Sequence, residues 1–198
     1  MKKVLFLIPI LILSACHSDD LPITQDYLPL QIGNYWNFKS INEPGNNTFV
    51  HREVVRISVI DNREYYLLVD SARYGDTIYK DSSYYRVASD GNVFVFRKNQ
   101  SGLEDNRFRL NGNDGDTWSY QRGDDGKVTI SLSVSTLTIN NKEIKNCKGY
   151  YLDVERWADE ENTVTLAPGI GFVKEYSDAW GMGWVVESAR INGQNFNF

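Results

Sequence analysis

The sequence predicts an all-β protein, an antiparallel meander of about ten strands closing into a barrel or half-barrel, with a β-sandwich as the other arrangement. Three observations predict it. Short β-branched and aromatic runs fill the chain from residue 30 onward, and 13% of all residues are aromatic. Turn residues separate those runs at Asp61-Asn62, Gly75-Asp76, Asp90-Gly91, Asp124-Asp125-Gly126 and Asn140-Asn141, the chemistry of hairpin connections. No window carries three turns of amphipathic helical periodicity.

The amino terminus stands apart from the fold. Met1-Lys2-Lys3 is a positively charged start, Val4 to Leu13 is an apolar run interrupted by Pro9, and Leu13-Ser14-Ala15-Cys16 closes it with small residues. The run is half the roughly 20 residues needed to span a bilayer, so residues 1–15 read as an export signal that is removed. Leu13 to Cys16 resembles the lipobox of bacterial lipoproteins. That resemblance implies cleavage before Cys16 and acylation, palmitate included, of its sulfur and new amino group, giving a membrane anchor. His17-Ser18-Asp19-Asp20 is similar to the surface-export signal of Bacteroidota lipoproteins, which implies an outer-membrane, cell-surface location. That signal usually carries one more acidic residue, so the periplasmic face stays as the other location. Residues 16–29, with Pro22 and Pro29, form the lipidated Cys and a tether of at most about 45 Å.

Residues 30–198 form a single β-domain, within the length range of one core. Thr129 to Val134 alternates at period two, and Leu137 and Ile139 continue on the opposite parity. The slip at Ser135-Thr136 predicts a β-bulge. Three echoes recur in order. Gly33-Asn34-Tyr35-Trp36-Asn37-Phe38 returns as Gly115-Asp116-Thr117-Trp118-Ser119-Tyr120. Tyr65-Tyr66-Leu67-Leu68-Val69 returns as Tyr150-Tyr151-Leu152-Asp153-Val154, and Gly91-Asn92-Val93-Phe94-Val95 as Gly169-Ile170-Gly171-Phe172-Val173. They suggest related halves, 30–110 and 111–198, each a meander of four to six strands. Two such meanders around one core would form a lipocalin-like or lipoprotein-carrier-like barrel and hide their edges.

Four segments carry a wider resemblance: Tyr27 to Trp36, Ser89 to Phe94, Gly115 to Trp118, and Leu166 to Glu175. They resemble the landmarks of a broad group of bacterial secreted and lipoprotein β-domains, in which a PL-x-x-GN-x-W segment opens the domain and APGIG-x-VK comes near its end. The resemblance implies fold and address and brings no activity or catalytic residue. Physically, Pro29 fixes the exit of the tether, Gly33 turns the chain into the first strand, and Trp36 and Phe38 point together into the core.

Charge narrows the function. The chain has 21 Lys+Arg against 26 Asp+Glu, and loss of residues 1–15 removes Lys2 and Lys3, leaving a net charge of about −7. With no basic run, nucleic acid is excluded as a partner. The sequence holds two His and two Cys and lacks G-x-S-x-G, H-E-x-x-H and C-x-x-C, so no catalytic residue, metal site or cofactor is assigned. Cys147 reads as a small buried hydrophobe. His51 and Glu53 share a face of Phe49–Ile60 with Val55, Ile57 and Val59, and could meet in a barrel mouth or at a strand end in water. Asp153, Glu155, Glu175 and Glu187 are the candidates for a hydrolytic carboxylate pair. Asn111 to Asp116 is rich in oxygen ligands, but Gly115 falls one place early for a calcium loop and no Glu closes it, so it reads as a turn.

Aromatic residues remain as candidates for ligand binding. The pairs Tyr65-Tyr66, Tyr84-Tyr85 and Tyr150-Tyr151 must send one ring to each face of a strand. Trp180 and Trp184 flank Gly181-Met182-Gly183, and Trp157 precedes the acidic run Asp159-Glu160-Glu161. Trp157, Trp180 and Trp184 are therefore the expected anchors of a non-catalytic surface module for a glycan or an envelope protein. A carrier of an apolar ligand would instead need a large cavity lined by the inward aromatics. A carboxylate-dependent hydrolase would need two converging carboxylates in a cleft.

Overall fold

The computed structural model describes residues 27–41, 49–96, 103–123, 126–155 and 160–198. The expected all-β meander is what forms, with more strands than expected. In chain order they are β1 (Tyr35–Ser40), β2 (Phe49–Ile60), β3 (Arg63–Tyr74), β4 (Thr77–Val87), β5 (Asn92–Phe96), β6 (Glu104–Arg109) and β7 (Thr117–Arg122). There follow β8 (Gly126–Ile139), β9 (Lys142–Val154), β10 (Asn162–Ala167), β11 (Gly171–Ser177), β12 (Met182–Ile191) and β13 (Gln194–Asn197). All belong to one antiparallel sheet whose path runs β6-β5-β4-β3-β2-β1-β12-β11-β10-β9-β8-β7, with β13 added beside β12.

That path is two six-strand meanders joined where β1 pairs with β12. The sheet curls until its outer strands, β6 and β7, come side by side, giving a nearly closed barrel. No ladder joins those two edges among the described residues. Side chains lace them instead: Trp118 Nε1 donates to the Asn106 carbonyl at 2.9 Å, and Arg122 stands 3.7 Å from Asp105.

Turn chemistry explains the hairpins. Asp61-Asn62, Asn140-Asn141 and Asn192-Gly193 all have positive φ at both positions, the conformation whose twist matches the flanking strands. The last of these makes the β12–β13 hairpin, which the dipeptide reading did not include. The phase slip in β8 is a real bulge, with register shifting between Ser135 and Leu137.

The interior is filled. Trp36 and Phe172 meet edge to face at 5.4 Å, as do Tyr85 and Phe172 at 6.0 Å and Trp118 and Tyr150 at 6.1 Å, while Phe108 and Tyr150 are tilted at 4.8 Å. These rings, with Leu68, Val93, Ile130, Leu152 and Val186, form one continuous core. The aromatics that point inward therefore fill the middle of the barrel among the described residues.

The segment entering β1 plugs one end. Leu28 is fully buried, and the Asn34 side chain ties the plug down by donating to the Pro29 carbonyl and accepting from the Asn192 amide, both at 2.8 Å. Trp36 Nε1 donates to the Ile170 carbonyl at 2.6 Å. A Cβ on Gly171 would lie 2.8 Å from the Trp36 ring and 3.2 Å from Pro29, at a φ of +90°. Only glycine fits there. Tyr27 begins the described chain at this same end, its hydroxyl donating to the Asn146 carbonyl at 2.8 Å.

Candidate functional site

The end opposite the plug carries the most open aromatic surface. Trp180 sits in the turn between β11 and β12 and is 65% exposed. Its amide donates to Ser177 Oγ at 3.3 Å, and Asp178 of the same turn donates its amide to the Glu161 carbonyl and accepts from Thr163 Oγ1. Tyr151 stands beside this turn on the outer face of β9. Of the adjacent tyrosine pairs, Tyr150-Tyr151 is the one that sends a ring to water: Tyr150 is buried and Tyr151 is 40% exposed. Partial burial, with smaller contributions from Glu161, Asp153 and Asp178, raises the Tyr151 hydroxyl above its ordinary pKa.

Register continues this face sideways. Tyr151 on β9 pairs with Thr163 on β10, Thr163 with Tyr176 on β11, and Tyr176 with Gly183 on β12. A Cβ on Gly183 would come within 2.6 Å of the Tyr176 ring, so the glycine lets that ring lie across β12. Lys174 holds its ammonium 5.5 Å from the same ring. The result is an outer sheet face that carries Tyr151, Thr163 and Tyr176, with Lys174 against the Tyr176 ring, Asp178 on Thr163 and Trp180 exposed in the turn that ends it. Exposed rings can stack on apolar faces of a ligand, and the carboxylates can accept from its hydroxyls.

The three expected Trp anchors divide. Trp157 lies outside the described residues. Trp180 is open as expected. Trp184 instead takes the inward parity of β12, opposite Ser40 and Glu175, and packs half-buried against the core with its indole N–H buried and unpartnered.

Beneath this end, inside the barrel, lies a charged cluster that motif reading missed. Arg52 donates from Nε and Nη2 to both oxygens of Asp70 at 2.8 Å, and from Nη1 to Glu175 Oε1. Its guanidinium lies 4.5 Å from the Phe172 ring centre and 5.7 Å from that of Phe38. Burial works against its charge, and Asp70 and Glu175 outweigh that, so the group is held charged well above its ordinary range. The signal was present in the sequence. Arg52 sits between Val50 and Val54 at the inward parity of β2, where an unpaired charge would be costly.

The hydrolase reading required two converging carboxylates. Asp70 and Glu175 do converge, but both accept hydrogen bonds from one guanidinium, so neither is arranged as a proton donor. The other candidates do not join them: Asp153, Glu155 and Glu187 are exposed. His51 and Glu53 do meet, at 3.6 Å, but on the outer face of the sheet and not in a barrel mouth. The physical reason is a bulge at Val55. Val54 pairs with Leu68 and Arg56 with Leu67, which keeps His51, Glu53 and Val55 outside and turns Ile57 and Val59 to the opposite face. His51 Nδ1 lies 2.7 Å from Asn37 Oδ1, and its ring packs 5.4 Å from that of Tyr35.

Two further buried groups have structural partners. Cys147 is free, buried and directed at the Ile144 carbonyl, and burial pushes its thiol up, away from the reactive thiolate. Lys148 donates to the Leu110 and Gly112 carbonyls at 2.5 and 2.7 Å and faces the Tyr27 ring, with burial lowering its pKa. In the oxygen-rich loop, Asp116 accepts from the Asn113 amide and Asp114 from the Val134 amide, which is turn chemistry.

No family model and no curated protein matches the chain. Among solved structures, it is similar to an exported-protein candidate of Bacteroides fragilis with a YmcC-like fold, at a TM-score of 0.46 and 12% identity over 82% of this chain and 98% of that one. It is also similar to a lipoprotein candidate of Parabacteroides distasonis, at a TM-score of 0.47 and 12% identity over 82% of this chain and 97% of that one.

Proposed function

We propose that this chain is a non-catalytic, lipid-anchored envelope module that binds a glycan on the face formed by Tyr151, Tyr176 and Trp180. The observation that carries the reading is the polarity of the barrel. The chain enters through Tyr27 at the plugged end, so an anchor at Cys16 holds that end toward the membrane and leaves Trp180 and Tyr151 pointing away. A rigid, filled barrel suits such a platform, because its rings are ordered before the ligand arrives.

Aromatic rings beside carboxylates favour a sugar over a flat protein partner, since each ring covers the C–H face of a pyranose while Asp153, Glu161 and Asp178 accept from its hydroxyls. The full chain, acylated and held in detergent, is tested on an array of bacterial surface polysaccharides. Trp180→Ala and Tyr151→Ala are each expected to weaken the selected glycan about tenfold, at unchanged melting temperature. Absence of any glycan ligand, or binding unaffected by both changes, overturns the reading.

A further inference from the structure

The plugged end holds a second feature, a half-open groove of about 990 Å³, near the top of the ~300–1,000 Å³ range of small-molecule sites. Its apolar lining comes from Leu28 and Leu30 of the plug, Ile57 of β2, Tyr66 of β3 and Val87 of β4. At its rim stand Arg63 and Arg86, which share Glu104: Arg63 donates to it at 2.6 Å and Arg86 at 2.8 to 3.0 Å. Arg86 also covers the Phe94 ring at 4.4 Å. The bulge at Val55 builds this groove, since it turns Ile57 from the outer face to the inner one.

Apolar side chains spread outward from the mouth. Ile32 is 55% exposed, Ile57 44% and Val59 68%; the other exposed aliphatic residues, such as Ile78 and Leu103, lie away from this groove. Single exposed apolar residues need no explanation, but three beside one apolar groove do. The position of the chain end says what covers them. Tyr27 is at this end, and Cys16 lies eleven residues earlier, a reach of at most about 40 Å. An anchor at Cys16 would tether the domain by the end that carries this groove.

We infer that the groove takes an acyl chain of a membrane lipid, with Leu28, Leu30, Ile57, Tyr66 and Val87 against the hydrocarbon and the lipid headgroup at the Arg63–Arg86 rim. Ile32 and Val59 then rest at the membrane interface. This rests on the anchoring part of the proposed function and is independent of the glycan face.

The test uses the full acylated chain in phosphatidylethanolamine–phosphatidylglycerol vesicles doped with a phospholipid bearing a diazirine in its acyl chain. After irradiation, labelled residues are mapped by mass spectrometry, and the peptide containing Cys16 reports acylation. Label is expected on Leu30 and Tyr66. Ile57→Glu, a change at an exposed position, is expected to reduce it at least fivefold without moving the melting temperature. Trp180→Ala, which tests the glycan face, is expected to leave it unchanged. Label confined to Val59 or Ile32, or an acylated chain with no label in the groove, overturns the inference while leaving the anchor intact. An unacylated Cys16 with an unlabelled groove overturns both the inference and the anchoring it rests on.

Discussion

Tyr150 shows how much one core residue sets in this protein. Its ring contacts Phe108 and Trp118, and its hydroxyl donates to the Arg109 carbonyl at 3.1 Å across the seam between the two halves. Burial, with a smaller contribution from Tyr27, holds that hydroxyl neutral far above its ordinary pKa of 10.0. A raised native pKa adds stability that is complete below the unfolded value and is lost as pH rises past it, because the unfolded tyrosine ionises while the buried one does not. Tyr150→Phe should therefore cost about 1 kcal/mol at neutral pH. Urea melts of both proteins should show that gap shrinking above pH 10. A gap that stays constant with pH would show that the buried hydroxyl makes no such contribution. The inward place of Tyr150 and the outward place of Tyr151 followed from strand parity alone. Parity did not say that Tyr65 and Tyr84, also outward, would be covered, since that depends on a small outer cluster with Phe96 and Leu67.

At the scale of elements, single inserted residues decide which face a side chain takes. The β8 bulge was legible because its run alternates cleanly on both sides of the slip. The β2 bulge was not, because Val54, Val55 and Ile57 are all apolar and period-two reading passes straight through them. The echoes show the same limit. They fall on β1 and β7, β3 and β9, and β5 and β11, but matching letters pairs Tyr65 with Tyr150, whereas the residue that shares the inward face with Tyr150 is Tyr66. In the turn before β11 the last glycine, Gly171, is required by its positive φ and its contact with Trp36. Gly171→Ala should cost about 2–3 kcal/mol through backbone strain and the clash with Trp36. Thermal melts should show the loss together with a changed Trp environment in near-ultraviolet circular dichroism. An unchanged melting temperature would mean that the plug is not held by this contact.

The whole molecule is a barrel with two different ends and a seam. The seam is where polar bookkeeping is least complete: Asn106 Oδ1, Arg109 Nε and Arg122 Nε are buried there without hydrogen-bond partners. Closure by side chains in place of a ladder accounts for this, since β6 and β7 meet through Trp118, Arg122 and Asp105. Composition and hairpin spacing made the barrel legible. The ends were not legible, because which loops gather at each end depends on where the path starts and on how β1 and β12 join the halves. That polarity puts the aromatic turn and the groove at opposite ends of the barrel, which under the proposed anchoring would give them opposite surroundings.

Orientation on intact cells tests this most directly. Single cysteines are placed in the full-length protein at Trp180 and at Val59 and challenged with a membrane-impermeant maleimide; native Cys147 is buried and gives no background. The account predicts rapid labelling of Trp180→Cys, and protection of Val59→Cys until detergent removes the membrane. Equal labelling of the two, or labelling of Val59→Cys alone, would contradict the orientation, and labelling of neither until the outer membrane is opened would contradict display at the cell surface.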